Sequence, residues 1–160
     1  MHKVKCSLAF LALMALFGCE NKPIKADMAE VFAQNKDDFL KLSSAVCREV
    51  EQRSIVHFVY PVTQTASMSN PVLEQEFSSF FQSKSLESAS VSNNPCSIYL
   101  SVWAVGAFGE GQQIGFEYNP KAVHLYTGDF RDINIDGAKG DIIKNIPLAD
   151  GWYLTYTYTP

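Results

Sequence analysis

The 160-residue chain has no apolar run long enough to cross a bilayer. Its apolar stretch Leu8–Phe17 is ten residues, roughly 15 Å as a helix against a hydrocarbon core of about 30 Å. It also lacks a basic cluster: 13 Lys and Arg stand against 17 Asp and Glu, spread along the chain. That argues against nucleic acid as a partner and against charge-driven binding to anionic lipid headgroups. The residues of metal and nucleophile chemistry are scarce, with three His and four Cys. There is no paired-His spacing, no Cys-x-x-Cys and no Gly-x-Ser-x-Gly. His57 and His124 therefore read as structural or exposed residues. Gly106, Gly109, Gly111 and Gly115 lie between two strand patterns without Gly-Lys-Ser/Thr. They read as a hairpin that bends or lets backbones approach closely, and not as a phosphate loop. No cofactor is expected.

What is present begins at the N-terminus. Lys3 and Lys5 precede the short apolar run, and the small residue Gly18 follows it, which is the pattern of an export signal. The ending Leu16-Phe17-Gly18-Cys19 resembles the processing site of bacterial lipoproteins, departing from the usual smaller residue at Phe17. The resemblance implies removal of residues 1–18, a lipidated Cys19 and attachment to the membrane through that lipid. Several acyl chains on one residue anchor stably, where one is marginal. Glu20, in place of Asp, points by analogy with Gram-negative sorting to the outer membrane, facing the periplasm. An ordinary secretory signal with an incidental cysteine is the alternative.

With residues 1–18 set aside, 142 remain, enough for one domain. Lys3 and Lys5 leave with the signal and no acidic residue does, so 11 basic side chains face 17 acidic ones, a formal charge of −6. Residues 19–26, with Pro23 and no apolar period, read as a short tether, and 27–160 as a single domain. Export leaves Cys47 and Cys96 in an oxidising compartment, where an isolated pair is expected as a disulfide; two buried free thiols are the alternative.

Met28, Phe32, Asn35, Phe39, Leu42, Val46 and Val50 recur at steps of three and four, predicting one long amphipathic helix from Asp27, its cap, to about Arg53. Ile55–Tyr60 reads as a strand. Asn70-Pro71 opens a second helix with Leu73, Phe77, Phe80 and Phe81 on its core face. Ser85–Ser92 reads as an edge strand, and 97–108 with 113–118 as a hairpin. Val123–Tyr126 and Phe130–Ile135 read as shorter strands. In the ending "GWYLTYTYTP", Trp152, Leu154, Tyr156 and Tyr158 alternate with Tyr153, Thr155, Thr157 and Thr159, a strand by period; Tyr153 is expected under a helix. Early helices and late strands predict α+β: a long N-terminal helix and a second helix on one face of a mainly antiparallel sheet.

Asp132, Asn134, Asp136 and Gly137 match the start of a calcium loop, but Ile143 stands where the closing carboxylate belongs and Lys139 where the apolar anchor does. A surface strand running into an Asp-Gly turn is the favoured reading, and no metal is assigned. Trp103, Val105, Gly106, Gly109, Gly111, Gly115, Tyr118, Pro120, Trp152 and Tyr153 together resemble small bacterial lipoproteins and secreted proteins with a Trp-x-Val-Gly strand, a Gly-rich hairpin and a terminal Trp-Tyr strand. That likeness implies a fold and no reaction. The expected function is a lipid-anchored cell-envelope protein, more a protein-binding module than an enzyme. An immunity-type protein that neutralises a periplasmic toxin and an envelope hydrolase are the alternatives. The expected partner is an envelope or toxin protein.

Overall fold

The computed structural model describes residues 22–62, 69–82, 84, 86–93, 95–107 and 110–160. The signal, Cys19, the start of the tether, Gly109 and most of the Ser/Thr-rich loop after Pro61 lie outside the described residues.

Where one long helix is expected, two form: α1 (Lys25–Gln34) and α2 (Lys36–Arg53). Asn35 causes the break. Its side-chain amide donates to the Val31 carbonyl at 2.8 Å, and its own carbonyl accepts from the Asp38 and Phe39 N–H groups. The side chain serves only the end of α1; α2 opens on the backbone carbonyl of Asn35, with no side-chain cap. Asp37 and Asp38 then sit in the first turn of α2, where carboxylates suit the helix dipole. Helix α1 starts two residues before Asp27, after Ile24, and no side chain caps it. At the far end of α2, Ser54 turns left-handed at φ 52° and Ile55 N–H returns to the Val50 carbonyl. The next helix, α3 (Pro71–Phe81), starts as expected: Asn70 Oδ1 accepts from Val72 and Leu73 N–H, each at 3.0 Å, with Pro71 at the first position.

Six strands follow: β1 (His57–Tyr60), β2 (Ser88–Ser92), β3 (Ser97–Ala107), β4 (Glu110–Tyr118), β5 (Ile142–Pro147) and β6 (Trp152–Thr159). They form one antiparallel sheet in the order β1-β2-β3-β4-β6-β5. The chain is therefore α+β. The Ser-rich strand β2 is interior, paired with both β1 and β3, and β1 takes the edge.

Cross-strand register assigns the two faces. The row Ala89, Leu100, Phe116, Leu154, Ile146 and the row Val91, Ile98, Tyr118, Trp152 lie on one side. This side meets the helices. Phe39 of α2 packs on Phe116 and Trp152 with ring centroids 4.8 and 5.0 Å away, and Phe77 of α3 stacks on Phe58 of β1 at 6.0 Å. The opposite side carries Ser90, Tyr99, Glu117 and Tyr153 in one row, and Ser101, Gly115, Thr155 and Asn145 in the next. No helix covers it. Tyr153, expected under a helix, stands here beside Glu117.

Cys47 and Cys96 form a disulfide, Cα atoms 5.6 Å apart, which ties α2 to the turn before β3. The connection from β4 to β5 differs from expectation. Val123–Tyr126 is no strand but a single parallel bridge, Leu125 to Asn145, with Leu125 71% exposed. Phe130–Asp132 is one turn of 3-10 helix, not a strand, because Asp129 caps it by accepting from Arg131 N–H. Phe130 is thereby buried against Tyr126 and Tyr156. Among the described residues, no helix is long and apolar enough to cross a membrane.

Candidate functional site

The sheet face without helices bears a cleft of about 410 Å³. Its floor comes from β2, β3, β4 and β6, with His57 of edge strand β1 on one side and Lys121 and Ala122 of the β4–β5 connection on the other. Alternation alone makes it polar. Each strand that sends Val91, Ile98, Leu100, Phe116 or Leu154 to the core must present Ser90, Ser97, Tyr99, Glu117 or Thr155 on the reverse.

Tyr99 and Glu117 are direct cross-strand partners at the centre. The Tyr99 ring lies over Gly115, where a Cβ would come within 2.9 Å of Tyr99 Cζ and would collide with the Leu100 carbonyl. Gly115 is thus the seat of the tyrosine ring, a close approach that only a residue without Cβ allows. The Tyr99 hydroxyl is shut off from solvent and has no hydrogen-bond partner. Burial pushes its acidity far down, and the charges of Glu117 and Glu87 act in the same direction, so the phenol keeps its proton.

Glu117 is held above the ordinary carboxylate value, chiefly by burial and against a hydrogen bond from Thr155 that favours the charged form. It forms no ion pair among the described residues. A chain of polar groups fixes it from beneath. The Thr155 hydroxyl, serving Glu117, also accepts from Asn145 Nδ2 at 2.9 Å, and Asn145 Oδ1 accepts from His124 N–H at 2.8 Å. Asn145 is completely buried, and its backbone pairs with His124 and Tyr126. One asparagine therefore orients the carboxylate and clamps the loop that carries Lys121.

A raised carboxyl pKa has a definite sign in stability. The folded chain holds the Glu117 proton more tightly than the unfolded chain, so stability falls as pH rises from the unfolded value of 4.5 through the raised folded one. The cost is fully present above the raised folded value and absent in acid below the unfolded one. Glu117→Gln is accordingly expected to melt higher than the parent at neutral pH, with the gap closing in acid. Thermal melts of both forms across that pH window check this; a gap independent of pH would remove burial of the charge as its cause.

What the cleft offers chemically is binding: a carboxylate without a cation, an aromatic ring, and hydroxyl and amide groups. His57 is exposed and bonded to none of the serines around it among the described residues.

Of the residues singled out from sequence, His57 borders the cleft, Gly115 seats its tyrosine ring and Tyr153 pairs with Glu117, while the others lie elsewhere. Cys19 falls outside the described residues, and Cys47 and Cys96 are joined on the helix side. Asp132, Asn134 and Asp136 are not brought into a shell. Asn134 Oδ1 accepts from Asp136 N–H at 2.7 Å in a local turn, and no group of three His, Cys, Asp or Glu suited to a metal occurs among the described residues. Tyr99, Glu117, Asn145 and Lys121 carry no sequence motif. The readable signal was a lone acidic residue, Glu117, inside the strand Ile114–Tyr118, at odd parity to Phe116 and Tyr118.

Fold and cleft together define a small α+β domain whose antiparallel sheet buries one face under helices and leaves the other as a polar cleft. The chain matches no family model, no curated protein and no solved structure.

Proposed function

We propose that the protein is a lipid-anchored component of the bacterial cell envelope, attached through Cys19 to the outer membrane on its periplasmic side, whose domain binds another protein. The observation that carries this reading is the ending Leu16-Phe17-Gly18-Cys19 at the close of a ten-residue apolar run. The disulfide is in keeping with an exported chain, since such bonds persist in oxidising compartments. The tether is shorter than its sequence suggests. Lys22 already lies over the Tyr156 ring, 5.3 Å from its centroid, and Lys25 donates to the Thr127 carbonyl at 2.9 Å. Only Glu20 and Asn21 separate Cys19 from the docked chain, a reach of about 10 Å. The domain is held against the bilayer, and a partner meets it there.

The test is fractionation combined with capture. The parent is expected in the membrane pellet, released by detergent, and Cys19→Ala in the soluble fraction. From crosslinked envelopes, the parent is expected to retain one stoichiometric protein that the soluble form loses. Cys19→Ala remaining in the pellet would overturn the anchor. Correct localisation without any retained protein would overturn the binding role.

A further inference from the structure

We infer that the cleft on the open sheet face is a receptor for a primary ammonium group, a lysine side chain of the protein partner, seated between the Glu117 carboxylate and the Tyr99 ring. This deepens the binding role proposed above and rests on it.

Two features point to a cation. Glu117 is a half-buried carboxylate with no ion-pair partner among the described residues, and its hydrogen bond from Thr155 leaves acceptor sites open. The Tyr99 ring, pinned over Gly115, lines the same cleft and offers a π face, the second element of an ammonium site. The surrounding potential agrees, since Tyr99 feels negative charge from both Glu117 and Glu87. At larger scale, a chain with a formal charge of −6 after residue 18 attracts a basic partner.

The dimensions favour a side chain over a folded surface. About 410 Å³ accommodates a butylammonium stem with room to spare. The serines and Thr157 around it suit the polar backbone to which such a stem is attached. A guanidinium prefers a bidentate carboxylate approached in plane, whereas Glu117 already shares its carboxylate with Thr155. A compact ammonium with three rotating donors fits that arrangement better. Lys121 stands on the rim of the same cleft in no ion pair among the described residues, the only charged group of the lining besides Glu117.

The test titrates the full chain, in detergent micelles, with N-α-acetyl-lysine methylamide and with its N-ε-acetylated counterpart, followed by amide chemical shifts. The lysine probe is expected to give saturable shifts at Tyr99, Glu117 and Gln113, with a dissociation constant on the order of 1–10 mM. The acetylated probe and the Glu117→Gln variant are each expected to bind about tenfold more weakly or worse, and Lys121→Gln to bind more tightly. Equal binding of the acetylated probe, unchanged binding by a natively dispersed Glu117→Gln variant, or no saturable shift at these residues would overturn the inference. The titration does not depend on Cys19, so its failure is distinguishable from failure of the anchor. Its failure with a partner still captured would leave the binding role standing and move its site elsewhere.

Discussion

Phe39→Ala is expected to lower the unfolding free energy by about 3–5 kcal/mol, the range for removing a fully buried phenyl group. Phe39 has no exposed surface and stands where four elements converge. Its ring centroid lies 5.0 Å from Phe32 of α1, 5.1 Å from Phe80 of α3, 4.8 Å from Phe116 of β4 and 5.0 Å from Trp152 of β6. The site cannot collapse cheaply, because β4 and β6 are interior strands and α2 is tied to the sheet by the disulfide. A groove of about 390 Å³ already runs past Phe39, bordered by Met28, Val31 and Val102. The truncated site would open into it and lose contacts on two sides. Since a domain of this size is stable by only about 5–15 kcal/mol, the change removes a large part of the total. Urea unfolding followed by near-ultraviolet circular dichroism measures it. Val72→Ala, at a half-exposed position of α3, serves as a control expected within about 0.5 kcal/mol of the parent. A loss below about 1 kcal/mol at Phe39 would mean that α1 closes the gap and that the four-way junction is not what joins the helices to the sheet.

The elements governed by local rules were legible. Asn70-Pro71 starts a helix because an Asn side chain and a missing N–H satisfy the same orphaned donors whatever surrounds them. The terminal strand was clear because eight residues of alternation outweigh any competing period. The failures share another cause. Asn35 sits at a core spacing, so periodicity carries the helix straight through it, whereas its side chain turns back onto the Val31 carbonyl where α1 ends. β2 looked like an edge because Ser is common at edges. Its Ala89 and Val91 are small or β-branched residues facing the core, and its serines face the open side, which is how an interior strand with one wet face reads. β5 was missed altogether, since Lys144, Asn145 and Pro147 depress its strand propensity, and only tertiary contacts from Thr155 and His124 make a buried Asn tolerable there.

The cleft was illegible for a related reason. Tyr99, Gly115, Glu117, Thr155 and Asn145 come from four strands, and only the register brings them together. Gly115 shows the limit well. Composition reveals that backbones approach closely near it, but not that a tyrosine on the neighbouring strand occupies the space its Cβ would fill. The cysteines were the opposite case: two residues left once the expected signal and lipid site are set aside allow a single pairing, so expected compartment and count were sufficient to raise the bond as an expectation, although not to exclude free thiols.

Removing that bond is the second large effect expected. The disulfide closes a loop with a sequence separation of 49 that contains the end of α2, β1, α3 and β2. In the chain-entropy account a loop of that length restricts the unfolded ensemble by about 4 kcal/mol. Cys47→Ser with Cys96→Ser is therefore expected to lose on the order of 2–4 kcal/mol, comparable to Phe39→Ala but by a different route. The phenylalanine acts on the folded state; the disulfide acts mainly on the unfolded one. The two are separable by measurement. The serine pair should leave the folded near-ultraviolet spectrum close to the parent's and raise the denaturant slope, because the uncrosslinked chain exposes more surface on unfolding. Phe39→Ala should change the aromatic spectrum and leave the slope alone. There is also a local contribution, since Cys96 is buried and its carbonyl accepts from Asn119 Nδ2 at 2.9 Å. Freed of the bond, the turn before β3 still keeps that hydrogen bond and the β2–β3 pairing. The cleft residues Ser97 and Tyr99, one and three positions beyond Cys96, should then stay in register, and the cleft should outlast reduction even as the domain becomes easier to unfold. A serine pair as stable as the parent would show that the loop is already confined in the unfolded chain. A pair that no longer folds would show that α2 depends on this bond to find the sheet.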